Sequence, residues 1–144
     1  MKDAVFKNLL HRAKGYERHS SGGEIAKGYK PDYSLKKGNE FIILECDTGT
    51  SRKGYVGAVT KASKFLTGEK NGVLVLVMKE KGNTTVIQIS NHLQPYLEWL
   101  RPLTNLKIVF VIAIDHYCPD EEPLELLEQV FYKKSTKIHI TNVR

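Results

Sequence analysis

Three stretches of this chain have no polar face. Residues 41–44 read Phe-Ile-Ile-Leu, residues 73–77 read Val-Leu-Val-Leu-Val, and residues 108–114 read Ile-Val-Phe-Val-Ile-Ala-Ile. A strand wetted on one side alternates apolar and polar residues, so a strand without alternation must be covered on both faces. None of these runs approaches the roughly 20 apolar residues that cross a bilayer. Their cover must therefore come from helices of the same chain, which places it in the α/β class with a central sheet between helical layers.

Segments fit to supply that cover recur between the runs. Residues 2–14 read as a first helix, with Val5 and Leu9 at helical spacing, Phe6 and Leu10 beside them, and Gly15 as its stop. Residues 53–66 follow with Val56, Val59, Ala62 and Leu66 on one face, and residues 91–100 with Leu93, Leu97 and Leu100. In the latter Pro95 is tolerable in the first turn, and Trp99 reads as core. Pro119-Asp120-Glu121-Glu122-Pro123 reads as the opening of a last helix, its acids favourably placed at the N-terminal end of the dipole. Residues 16–23 read as a polar loop, 24–26 and 32–35 as short strands, 85–89 as a further short strand, and Ile138 with Ile140 as a final edge strand. The first half is thus ordered helix, three strands, helix, strand. At 144 residues, the whole chain, residues 1–144, is expected to form a single domain.

The stretch from residue 29 to 65 carries the candidate chemistry. Gly38-Asn39 is turn chemistry between two strand-like segments. A two-residue loop there pairs Lys37 with Glu40, and every further pair keeps an index sum of 77. Asp32 then lies opposite Glu45, with Cβ atoms about 5 Å apart, and Lys30 lies opposite Asp47. Asp47 shares a face with Glu45 because strand side chains alternate. Like charges facing each other are destabilising, and a hard divalent cation with oxygen ligands would resolve the conflict. The ordinary alternative is a set of strand-end carboxylates that simply reach water.

These residues resemble a known pattern. Pro31-Asp32, followed by Glu45-Cys46-Asp47 after an apolar strand, looks like the PD-(D/E)XK nuclease superfamily. The longer string Glu45, Asp47, Gly49, Thr50, then Lys61 with Phe65 on a helix, is similar to the nuclease-like domain of replication-relaxation proteins of plasmids and mobile elements. The resemblance covers roughly residues 22–65. It implies a restriction-endonuclease-like αβββαβ core with a mixed central sheet, here extended by further helices and strands. It implies Mg2+, with Mn2+ as a substitute, held by Asp32, Glu45 and the Cys46 carbonyl, with Asp47 as a third or outer ligand. Glu24 is the candidate acid that such domains carry shortly before Pro-Asp, with Glu17 as runner-up. Where the superfamily has a lysine two residues after the Glu, this chain has Asp47. Lys53, Thr60 and Lys64 near one stripe of the following helix, Lys61 on its edge and Lys30 are the candidates to replace that lysine. Arg52, Lys53, Lys61, Lys64 and Lys30 are the candidate DNA contacts, and a solvated helix face is the ordinary reading of any one of them.

Net charge is +6, compatible with a phosphate-rich partner. The two cysteines, Cys46 and Cys118, lack metal-type spacing and read as free thiols of a reducing cytosol. Lys2 and Asp3 interrupt the opening, which argues against a signal peptide. The expected function is a metal-dependent endonuclease acting on DNA. The competing one is a DNA-binding or assembly module that keeps the fold without catalysis. No helix-turn-helix is recognisable, so a homodimer or a partner protein is expected to help read the DNA. The pair Asp115-His116, at the end of the third apolar run, is a second, weaker candidate site.

Overall fold

The computed structural model describes residues 1–140. Its elements in chain order are α1 (Asp3–Asn8), β1 (Glu17–Ser20), β2 (Tyr33–Lys37), β3 (Glu40–Asp47), α2 (Arg52–Phe65), β4 (Asn71–Met78), α3 (Val86–Leu100), β5 (Leu106–Ala113), α4 (Ile114–Tyr117), α5 (Gln129–Lys134) and β6 (Thr136–His139). The six strands form one mixed sheet in sequential order, β1 to β6. The pairs β1–β2, β2–β3 and β5–β6 are antiparallel, whereas β3–β4 and β4–β5 are parallel. The three apolar runs form the three central strands, β3, β4 and β5, except that the third run ends as a strand at Ala113 and Ile114 already opens α4; helices cover both of their faces.

Strand alternation divides the buried residues into two cores. Phe41, Ile43, Leu74, Leu76, Val109 and Val111 face α2 and α3, where Tyr55, Val59, Ala62, Ile89, Leu93 and Leu97 meet them. Ile42, Leu44, Val75, Val77, Phe110 and Ile112 face the other way, towards Phe6 of α1, Tyr117 of α4 and Phe131 of α5. Gly72 is fixed by this packing, because a Cβ there would run into the main chain of Phe41 on the neighbouring strand.

Several expected elements differ. The first helix stops at Asn8, and Leu9 is already extended. The cause is His11, which turns inward to bond the Tyr117 hydroxyl at 2.7 Å and the Phe6 carbonyl at 2.8 Å. A buried imidazole needs both partners, and a continued helix would not reach them. β1 lies inside the segment expected to be a loop. Glu-Arg-His-Ser has no apolar alternation, yet it forms an exposed polar edge strand, the kind of edge that resists intermolecular pairing. Residues 24–29 form a tight turn instead of a strand, with an Ala26–Tyr29 bridge. Residues 85–89 are helical: Thr85 caps α3 by accepting the Gln88 N–H at 3.2 Å, so a capped helix start overrides β-branched propensity. Pro95 therefore sits inside α3 and not in its first turn. The last helix begins only at Gln129, because Leu126 is tied to the Arg12 carbonyl at 2.8 Å and bridges Ala13. Trp99 is 73% exposed, on the side of α3 away from the sheet.

Candidate active site

The hairpin fixes the site. Gly38, at φ +60°, supplies the left-handed turn residue. The pairs Lys37–Glu40, Lys36–Phe41, Leu35–Ile42, Ser34–Ile43 and Tyr33–Leu44 follow, each with the index sum of 77 expected from a two-residue loop. One step further, the ladder gives way to side chains. The Asp32 N–H donates to Glu45 Oε1 at 3.1 Å, and the Cys46 N–H donates to Asp32 Oδ2 at 2.7 Å. Asp32 and Glu45 thus lock together, each carboxylate using one oxygen to accept a main-chain N–H.

Both carboxyls are held above their ordinary pKa. Burial is the main cause for Asp32, which is only 8% exposed, and the Cys46 N–H opposes it. Glu45 is pushed up to about 7, first by burial and then by the charge of Asp32, with Lys61 and the Asp32 N–H pulling the other way. The pair has the features of a crowded, half-desolvated anionic site.

Asp47 lies next along the same face, but its carboxylate does another job. Oδ1 accepts the Gly49 N–H at 2.8 Å, which closes the loop into α2. The Tyr55 hydroxyl donates to the carbonyls of Asp47 and Gly49 at 3.2 and 2.9 Å and holds the same loop from above. A Cβ at Gly54 would stand 2.7 Å from Asp47 Oδ2, so this helical position is glycine for close approach. Among the described residues, no three His, Cys, Asp or Glu side chains stand close enough to hold a metal ion by themselves. The expected three-carboxylate cluster is therefore two carboxylates plus a loop clamp.

A cavity of about 320 Å3 opens over Glu45 and Asp47, with Cys46 on its border, and Lys53 and Lys61 of α2 flank it. Gly54 and Gly57 of α2 also line it. Lys64 lines a neighbouring cavity instead, together with Lys61. Arg52 is half-buried and donates to the Asn83 carbonyl at 3.2 Å, which ties it to the next loop. Thr60 bonds back to the Val56 carbonyl within its own helix. Lys30 is exposed and lies beyond the last ladder pair. Glu24 is not part of the site: it is exposed, and its carboxylate accepts the Gly28 N–H at 2.9 Å inside the tight turn. Glu17 pairs with Lys36 in the edge strand β1 and is equally exposed. Asp115 and His116 both face outward on α4.

Three residues at the site escaped the sequence reading. Lys7 of α1 places Nζ 3.9 Å from Asp32 Oδ1. Asp3, one helical turn earlier, adds negative charge that raises Asp32, Glu45 and Cys46 together. Tyr29 is buried, its phenol is raised by burial and then by the charges of Glu45 and Asp32, and its hydroxyl has no hydrogen-bond partner among the described residues. The spacing of Asp3 and Lys7, four residues apart, marks them as sharing a helix face. Only the docking of Phe6 shows that this face meets the carboxylates. The chain matches no family model, and no curated protein and no solved structure matches it.

Proposed function

We propose that this chain is a metal-dependent phosphodiesterase acting on DNA. The observation that carries the reading is the locked pair of Asp32 and Glu45, with Lys7 on one side and Lys61 on the other. Mg2+ commonly takes only one or two carboxylates from protein and fills its shell with water and substrate phosphate oxygens. Each carboxylate of the pair retains one oxygen that binds no main-chain N–H, so the residues fit such an ion, with the Cys46 carbonyl as a further ligand suggested by the resemblance. A bound Mg2+ would polarise a phosphate and lower the pKa of a bound water. Asp32 and Glu45 would hold the ion, and the partial burial of both carboxyls would limit its screening by bulk water. Lys61 and Lys53, which line the same cavity as Glu45, would meet an incoming phosphate there. Lys7 and Lys61 supply the positive charge that the superfamily pattern places where Asp47 stands. The element order α, β, β, β, α, β and the parallel β3–β4 pair are compatible with a restriction-endonuclease-like core and support the reading.

The second reading, a DNA-binding or assembly module without catalysis, draws on Asp47. It replaces the pattern lysine and is committed to the loop into α2. A plasmid-nicking assay separates the two. With Mg2+ or Mn2+, the wild type is expected to convert supercoiled plasmid to the nicked form, and Asp32→Ala is not. Equal binding of DNA in EDTA and in Mg2+, with no nicking in either, would establish the binding module.

A further inference from the structure

A second cavity, of about 580 Å3, lies between β1, the tight turn at residues 25–29 and the C-terminal half of α2. Its volume falls in the range of small-molecule pockets, roughly 300–1,000 Å3. Five lysines, Lys27, Lys36, Lys61, Lys64 and Lys70, border it together with His19, and among the described residues no carboxylate does. Its inner side is aromatic. Tyr29, Phe41 and Phe65 pack there, with the Phe41 and Phe65 rings edge to face at 5.1 Å and Tyr29 tilted against Phe65 at 5.8 Å. The ammonium groups of Lys36 and Lys70 rest over Phe41 and Phe65 at 5.5 and 5.2 Å from the ring centroids. The hydroxyl of Tyr29, which is only 5% exposed, has no partner among the described residues.

A ring of cations would hold an anion of any shape, and an aromatic wall alone would hold any flat apolar group. The combination selects a ligand that is flat and aromatic at its centre and anionic at its edges. An unpaired nucleotide within a DNA strand has that form: a base to lie against the aromatic wall and phosphates on either side for the lysines. In duplex DNA the bases are stacked and paired, so only phosphates could reach the rim. To meet the phosphates, Lys36 and Lys70 would swing away from the ring faces as a base enters.

We propose that this cavity seats an unpaired nucleotide of single-stranded DNA, an inference that rests on the DNA reading of the adjacent carboxylate pair and sharpens its substrate to DNA with a single-stranded segment. Lys61 borders both cavities, so a strand held here would pass directly to Glu45.

The test is fluorescence anisotropy in EDTA with the full chain and labelled oligothymidylate, a duplex of the same length and an abasic strand of the same length. The wild type is expected to prefer oligothymidylate over both others by about tenfold, the discrimination that one stacked base provides. Phe65→Leu is expected to remove most of that preference. Because Phe65 is buried and the variant could unfold, the surface double variant Lys36→Gln with Lys70→Gln gives an independent check. It should weaken oligothymidylate binding about fivefold or more and duplex binding by a clearly smaller factor, since the duplex loses only phosphate contacts at the rim. Equal affinity for the three DNAs, or no loss in the double variant, would overturn the proposal. So would competition by free thymidine monophosphate as effective as that of the strand, which would make the cavity a site for free nucleotides. No metal or turnover enters this measurement. A chain that nicks duplex plasmid without single-strand preference loses this inference and keeps the carboxylate reading, and a chain that prefers single strands but never nicks does the reverse.

Discussion

Glu45→Gln isolates the electrostatic conflict at the centre of the site. Gln keeps the shape of Glu and an oxygen able to accept the Asp32 N–H, so the substitution removes charge and little else. The folded protein holds Glu45 near 7 against an ordinary 4.5. A carboxyl raised on folding binds its proton more tightly in the folded than in the unfolded state. Stability is therefore full below about pH 4.5, falls as pH rises through the window from 4.5 to 7, and stays reduced above it. At 1.36 kcal/mol per tenfold in acidity, the whole loss has a ceiling of about 3 kcal/mol. Part of that ceiling belongs to Asp32, since two carboxyls that repel titrate together. Glu45→Gln is therefore expected to stabilise the metal-free protein by about 1–2 kcal/mol at pH 8 and by well under 1 kcal/mol at pH 5. For a chain of 144 residues that gain corresponds to roughly 3–7 °C in Tm at pH 8. Urea unfolding and thermal melts in EDTA across this pH range measure it. Millimolar Mn2+ should raise the wild-type Tm by mass action and raise that of Glu45→Gln much less. A stability gain that does not change with pH, or a loss at pH 8, would refute the account of the pair as crowded anions.

Other expectations follow from individual side chains. Gly57→Ala in α2 adds a Cβ into open space and should stabilise by about 0.5–1 kcal/mol, as glycine in a helix interior is costly. Gly54→Ala gains the same propensity but meets Asp47 Oδ2, so it should fall short of Gly57→Ala by about 1 kcal/mol or more in denaturant unfolding. Tyr117→Phe removes a partner of buried His11 and should cost about 1–3 kcal/mol by the same measurement. Changing Lys53 and Lys64 together to Gln should weaken DNA binding and lower the slope of log affinity against log salt by up to about 2, one for each phosphate that the variant no longer neutralises.

How much of this was readable from the sequence depends on the range of the interactions. The three unbroken apolar runs determined a sheet covered on both faces, because nothing else can bury a strand without a polar side. The turn at Gly38-Asn39 determined the register, and with it the meeting of Asp32 and Glu45, because a hairpin is set by the residues at its own bend. Turn geometry and strand alternation are local, and local rules act within one sequence window.

The tertiary structure decided what long-range partners impose. Asp47 has the alternation of a ligand, yet it serves the loop, because α2 brings Gly54 and Tyr55 down onto it. α1 ends early because His11 finds Tyr117 more than one hundred residues away. Lys7 and Asp3 join the site because Phe6 anchors their helix against the sheet. The polar strand β1 forms because β2 presents an open edge, and with the turn at residues 25–29 it frames the lysine-lined cavity. Each of these outcomes joins segments distant in sequence. Its free energy exists only once the chain has packed, so no pattern within a single segment could encode it.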